Sequence, residues 1–163
     1  MSKTQWYIGA PNAVVLCISA LHPDRMEGVL YHSYSEQAVP FRNVEQMIFR
    51  MEELYDAIRF PHPGTNERSF GEVKPPERIT TERTRIMSDE KLLQKHGDIG
   101  TFIVRVQHRQ NSSWQGRITW MEEDKTINFR SIWEMVKLIE SAVDTVSDVE
   151  DEESSTWFDT QKN

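Results

Sequence analysis

The amino-acid sequence predicts an α+β fold: two β-β-β-α repeats packed as a pseudo-dimer, with antiparallel sheets each covered by one helix. Three observations carry that expectation. Residues 13–54 align with residues 101–142 without a gap at an offset of 88 positions, which puts Gly28 on Gly116, Phe41 on Phe129, Arg42 on Arg130, Met47 on Met135 and Glu52 on Glu140. Each copy holds three short β-type runs separated by turn residues. Each copy then opens a helix with the same signal, Asn43-x-x-Gln46 in the first and Ser131-x-x-Glu134 in the second, the spacing of a capping box.

In the first copy, Ala13 to Leu21 is an apolar, β-branched run ended by His22-Pro23-Asp24. Gly28 opens a second strand through Tyr34, whose edge is marked by polar Ser35-Glu36-Gln37, and Ala38 to Phe41 form a third. Apolar residues then recur at Val44, Met47, Ile48, Met51, Leu54, Tyr55 and Ile58, one buried stripe of a helix.

The second copy repeats the order. Thr101 to Arg109 starts apolar and then alternates, as in a half-buried strand. Gln110 to Ser113 form a turn, and Trp114 to Glu122 follow with Ile118, Trp120 and Glu122 on one face and Arg117, Thr119 and Met121 on the other. Glu123-Asp124-Lys125 make a hairpin turn, Thr126 to Phe129 the last strand. The helical stripe is Ile132, Met135, Val136, Ile139 and Val143. Three strands and one helix bury little surface alone, so the two copies are expected to share a core about a pseudo-two-fold axis in one compact body.

The chain divides into residues 1–59 (first repeat, core 13–54), 60–100 (an extended connector with a short helix from Ser88 to Gln94), 101–146 (second repeat, core 101–142) and 147–163 (an acidic, disordered tail). Pro61, Pro63, Gly64, Gly71 and Pro75-Pro76 punctuate the connector. A linker of this length is functional or mobile in most proteins, and it is expected to wrap across the pseudo-dimer.

Composition excludes several function classes. The net charge of -7 is uneven: residues 144–163 hold seven acids against Lys162, a balance of -6, which leaves -1 on the rest and no basic field for nucleic acid. Hydrophobic residues at 37% argue for a folded body rather than a disordered chain. The start has no secretory signal pattern and no run is long enough for a membrane span, so a cytoplasmic location is expected. The single cysteine, Cys17, lies in the apolar run Val14 to Ile18, where a thiol acts as a small buried hydrophobe. Without a secretory signal, the sequon Asn111-Ser112-Ser113 reads as a polar turn.

No residue pattern points to catalysis. His22, His32, His62, His96 and His108 show no paired spacing, and one cysteine cannot complete a zinc site, so no metal and no cofactor are predicted. No nucleophile elbow presents a serine, and Gly28 and Gly116 are isolated rather than part of a phosphate loop. His22-Pro23-Asp24 is the tripeptide of the J-domain loop, but here it joins strand patterns and reads as a turn. Glu52 and Glu140 share a helix position, either a solvated flank or a paired acid site at the axis between the copies.

Two features suggest binding. Tyr31, Tyr34, Trp114 and Trp120 lie on the hairpins with Arg105, Arg109 and Arg117, the residue types that stack and contact single-stranded nucleic acid or anchor a protein partner. In the tail, acids precede Trp157 and Phe158, a composition seen in docking motifs.

Phe102 to Arg109, with Ser113-Trp114-Gln115-Gly116 and Asn128-Phe129-Arg130-Ser131, resembles a stretch of small, uncharacterised proteins of clostridial bacteria, mainly over residues 101–142. That resemblance implies no activity. The topology is also similar to whirly-like and Pur-type repeats, which pair to bind single-stranded nucleic acid, although those units carry four strands and a basic surface. The favoured expectation is a non-enzymatic, cytoplasmic protein-interaction or regulatory module, with a homodimer or a mobile-element or phage origin as variants. Single-stranded nucleic-acid binding, and an enzyme with a small-ligand site between the repeats, are the alternatives.

Overall fold

A computed structural model describes residues 11–64, 68–71 and 84–144. The element order is β1 (Val14–His22), β2 (Arg25–His32), β3 (Ser35–Phe41), α1 (Val44–Ile58), α2 (Asp89–Leu93), β4 (Gly100–His108), β5 (Gln115–Trp120) and β6 (Lys125–Phe129). A third helix, α3, occupies residues 132–144. The protein is α+β, and its strands form one antiparallel sheet of order β3-β2-β1-β4-β5-β6.

The sheet corrects the expectation of a separate sheet for each copy. β1 pairs with β4 through Val14↔Val104, Val15↔Ile103 and Leu16↔Phe102, fusing the two sets of three strands. The physical reason lies in side-chain apolarity. Val14 to Ile18 and Phe102 to Val104 are buried on both faces, so these strands belong at the centre, where neither face nor edge meets water.

Pairings recur at the 88-residue offset. Val14↔His32, Leu16↔Leu30, Ile18↔Gly28 and Gly28↔Phe41 correspond to Phe102↔Trp120, Val104↔Ile118, Val106↔Gly116 and Gly116↔Phe129. Each long strand is bulged at the corresponding place, between Ile18 and Ala20 and between Val106 and His108. Gly28 and Gly116 sit opposite the residue before the bulge, and a Cβ on either would lie on the carbonyl of Cys17 or Arg105. The two glycines therefore permit close strand approach in mid-strand rather than strand entry.

Side-chain alternation divides the core. Val14, Leu16 and Ile18 of β1 and Phe102, Val104 and Val106 of β4, with Leu30, Ile118, Phe41 and Phe129, form one core with Met47, Met51, Leu54 and Tyr55 of α1 and Met135, Val136, Ile139 and Val143 of α3. On the opposite face Ala13, Val15, Cys17, Ile103 and Met121 are covered by Met87 and Leu92. The connector reaches them because the Ile86 and Met87 amides donate to the Ser33 carbonyl and Ser88 caps α2. Ile99 N–H donates to the Ile18 carbonyl and leads the chain into β4. Part of the connector thus lies across the sheet.

Both helix starts follow their sequence signal. Asn43 Oδ1 accepts from Gln46 N (2.8 Å), and Ser131 Oγ accepts from Glu134 N (3.1 Å). Gln46 and Glu134 reach back to the amides of Arg42 and Arg130. The β2–β3 turn is Ser33-Tyr34, so Ser35-Glu36-Gln37 stand within an edge strand whose outer residues are polar because they face water. β5 ends at Trp120, shorter than its apolar pattern, because residues 121–124 form the turn.

Candidate functional site

The seven hairpin residues do not share one surface. Trp114 is fully buried and Arg109 is 5% exposed, so both belong to the interior. Tyr34 is half-buried against the helix-side core, its ring 6.0 Å from that of His32. Tyr31 is half-buried on the opposite face with Lys95 Nζ 4.9 Å from its ring centre, which caps the plane a base would stack on. Arg105 and Arg117 face each other across β4 and β5, on the same side as Ile103. Trp120 points to the helix side. Of the set, only Trp120 borders one of the two cavities described below. Trp157, Phe158 and the rest of the acidic tail lie outside the described residues.

Arg109 and Trp114 are joined in a polar cluster beneath the end of α1. The Arg109 guanidinium donates to Glu52 Oε2 (3.1 Å), to Asp56 Oδ1 (2.8 Å) and, through Nε, to the Pro61 carbonyl (2.6 Å). Trp114 Nε1 donates to the other oxygen of Glu52, and its ring meets Tyr55 edge-on at 5.5 Å. Gly64 N donates to the Arg109 carbonyl (2.8 Å), and Pro63 forms a bridge to the same residue. The cluster ties α1, β4 and the start of the connector together. Desolvation lifts the Tyr55 phenol well above its usual value, with Glu52 adding to the effect and Arg109 opposing it. Sequence pattern missed this clamp because Glu52 and Asp56 are four apart on a helix, and only tertiary folding brings Arg109 to them.

The corresponding places beneath α3 are open. Asp144, Val143, Glu140 and Leu21, offset by 88 positions from Asp56, Tyr55, Glu52 and Arg109, line with Ala20, His22, Pro23 and Ile99 a cleft of about 450 Å³. Glu140 is engaged on its own helix by Lys137 at 3.6 Å. Glu52, held by Arg109 and Trp114, and Glu140, held by Lys137, therefore have different partners and are not paired with one another.

A second cavity, of about 180 Å³, lies between α3 and β4–β6, lined by Phe102, Ile118, Trp120, Lys125, Ile127, Leu138, Ser141 and Ala142. Its lining is apolar apart from Ser141 and Lys125, whose Nζ lies 6.0 Å from the Trp120 ring centre. The residue corresponding to Ala142 is Leu54, buried in the core under α1. Ala142 lacks the three further carbons of a leucine side chain, which leaves room beside it. Such a cavity is large enough for an aromatic ring, since an engineered apolar cavity of about 150 Å³ binds benzene.

Beyond these features, no group of His, Cys, Asp and Glu with the geometry of a metal site occurs among the described residues. No described helix is long and apolar enough to cross a membrane. Comparison with protein-family models, curated proteins and solved structures finds no match.

Proposed function

We propose that this chain is a non-enzymatic, cytoplasmic protein-interaction module in which two copies of a β-β-β-α unit form the scaffold and the α3 side makes the contact. A pseudo-two-fold axis through the Val15–Ile103 pair accounts for the recurring registers: under the 88-residue offset, Val14↔Val104 maps onto Leu16↔Phe102, and Val15↔Ile103 onto itself. The observation that carries the reading is the unequal filling of equivalent seams. Beneath α1, Leu54 and the Arg109 clamp occupy them; beneath α3, an apolar cavity and an acidic cleft remain. Pockets that receive anchor side chains are the energetic centres of protein interfaces.

The test is comparative capture from the native host with three full-length baits: wild type, Ala142→Leu and Arg50→Ala. Ala142→Leu fills the cavity with the side chain its counterpart already carries. Arg50→Ala alters the exposed flank of α1 at the position matching Leu138. The expected result is a protein held by wild type and Arg50→Ala but lost by Ala142→Leu, as identified by mass spectrometry. Equal capture by all three, or capture of nucleic acid alone, defeats the reading.

A further inference from the structure

β3 and β6 are the two edges of the sheet, and they are protected unequally. Pro40, which pairs with Val29, removes a backbone donor next to the C-terminal end of β3, a common way to keep an edge from recruiting another strand. β6 has no proline. Its inner side pairs with β5 from Gly116↔Phe129 to Trp120↔Lys125, and no described strand lies on its outer side. Lys125 to Asn128 are exposed, and Ile127 at the midpoint is 50% exposed although it also walls the apolar cavity.

We infer that β6 pairs antiparallel with β6 of a second copy of this chain about a two-fold axis at Ile127. This names the partner for the α3 side and rests on the interaction reading above. The register is self-complementary. With Ile127 opposite the partner's Ile127, Thr126 faces the partner's Asn128, Lys125 the partner's Phe129, and Asp124 the partner's Arg130. No like charges are opposed, and the acidic turn before β6 faces Arg130, which holds Glu134 of its own chain at 2.9 Å. Such an arrangement is isologous, so one favourable contact is made twice. The two Ile127 side chains stand on the helix side of the joined sheet and extend the wall of each cavity across the axis. Pairing at β3 would bring Pro40 into the ladder, so the sheet grows at one edge only and closes as a dimer.

Sedimentation velocity of the full chain across micromolar concentrations should show a reversible dimer, weakened at least about tenfold by Ile127→Lys, a loss of about 1.4 kcal/mol or more. Ile127→Cys supplies a second readout, because residues facing one another at a two-fold lie within disulfide reach. Mild oxidation should link Ile127→Cys into covalent dimers faster than Val39→Cys, the matching residue of the β3 edge. Cys17 is buried and does not compete. A wild type that stays monomeric, or equal cross-linking of the two cysteine variants, overturns the inference. A monomeric wild type whose Ala142→Leu variant still loses its captured protein overturns the pairing alone and leaves the interaction reading standing.

Discussion

Ala142→Leu is the most direct probe of the proposed unequal seams, because the residue 88 positions earlier, Leu54, is a buried leucine on α1. The substitution adds three carbons in a cavity of about 180 Å³. At about 0.8 kcal/mol per buried methylene, the gain is at most roughly 2 kcal/mol. A closed void of that volume would cost about 4 kcal/mol at ~24 cal/mol per Å³, so the space does not limit the gain. Adjustment of Leu138 and Trp120 offsets about 1 kcal/mol of it. The expected net stabilisation is about 1 kcal/mol, which for a chain of this size raises Tm by about 2 to 4 °C. The reverse change, Leu54→Ala, should cost about 3 kcal/mol by opening the same seam under α1. Urea unfolding followed by tryptophan fluorescence measures both. Destabilisation by Ala142→Leu of more than about 1 kcal/mol would refute the argument, since it would mean that the cavity does not have the shape Leu54 fills in its counterpart.

Arg109→Met should destabilise the fold by about 2 to 3 kcal/mol in urea unfolding, because it leaves Glu52 partly buried without its cation while Asp56 returns to water. Glu52→Gln retains an acceptor for Trp114 Nε1 and should cost only about 1 kcal/mol. Tyr55→Phe should be neutral or stabilising by up to about 1 kcal/mol, since the buried hydroxyl has no hydrogen-bond partner among the described residues. Burial, with Glu122 adding and Lys95 opposing, pushes the Cys17 thiol up to about 11 from an ordinary 9.0. A raised folded-state value means that the stability it contributes is complete below pH 9 and is lost as pH climbs toward 11; Cys17→Ala should make the fall in unfolding free energy shallower between pH 9 and about 10, below the range in which Tyr55 adds its own fall. Iodoacetamide at pH 8 should leave native Cys17 unmodified and alkylate it in urea.

The sequence made the order of strands and helices legible wherever a local rule was at work. The capping boxes at Asn43 and Ser131 and the helical stripes depend on neighbours within a few residues, and they appear in the structure as expected. What local pattern could not carry was the choice between two sheets and one. That choice turns on whether β1 and β4 meet, a contact between residues far apart in the chain. The same limit governs the binding set. Trp114 and Trp120 read alike as aromatics on a hairpin, yet one lies before β5, hydrogen-bonded to Glu52 in the interior, and the other borders a cavity. Arg109 reads in the sequence as a surface cation because arginine is seldom buried, and the clamp explains its burial.

On the proposed reading, the asymmetry between the halves follows from what each kind of position can tolerate. A register or bulge change in one strand turns side chains from one face to the other, so Gly28, Gly116, Phe41 and Phe129 are held by the geometry of the whole sheet. A seam residue such as Leu54 or Ala142 affects only its own neighbourhood. Replacing leucine by alanine there costs a few kcal/mol at most, which a partner can offset by inserting a side chain of its own. The clamp works in the opposite direction: Arg109 completes the α1 side from within the chain, filling a place that Leu21 leaves open on the α3 side. One side is thereby committed to internal stability and the other is left to intermolecular contact. If this division holds, stability and partner binding should respond to different halves, with Arg109→Met impairing folding and Ala142→Leu impairing capture while the fold gains.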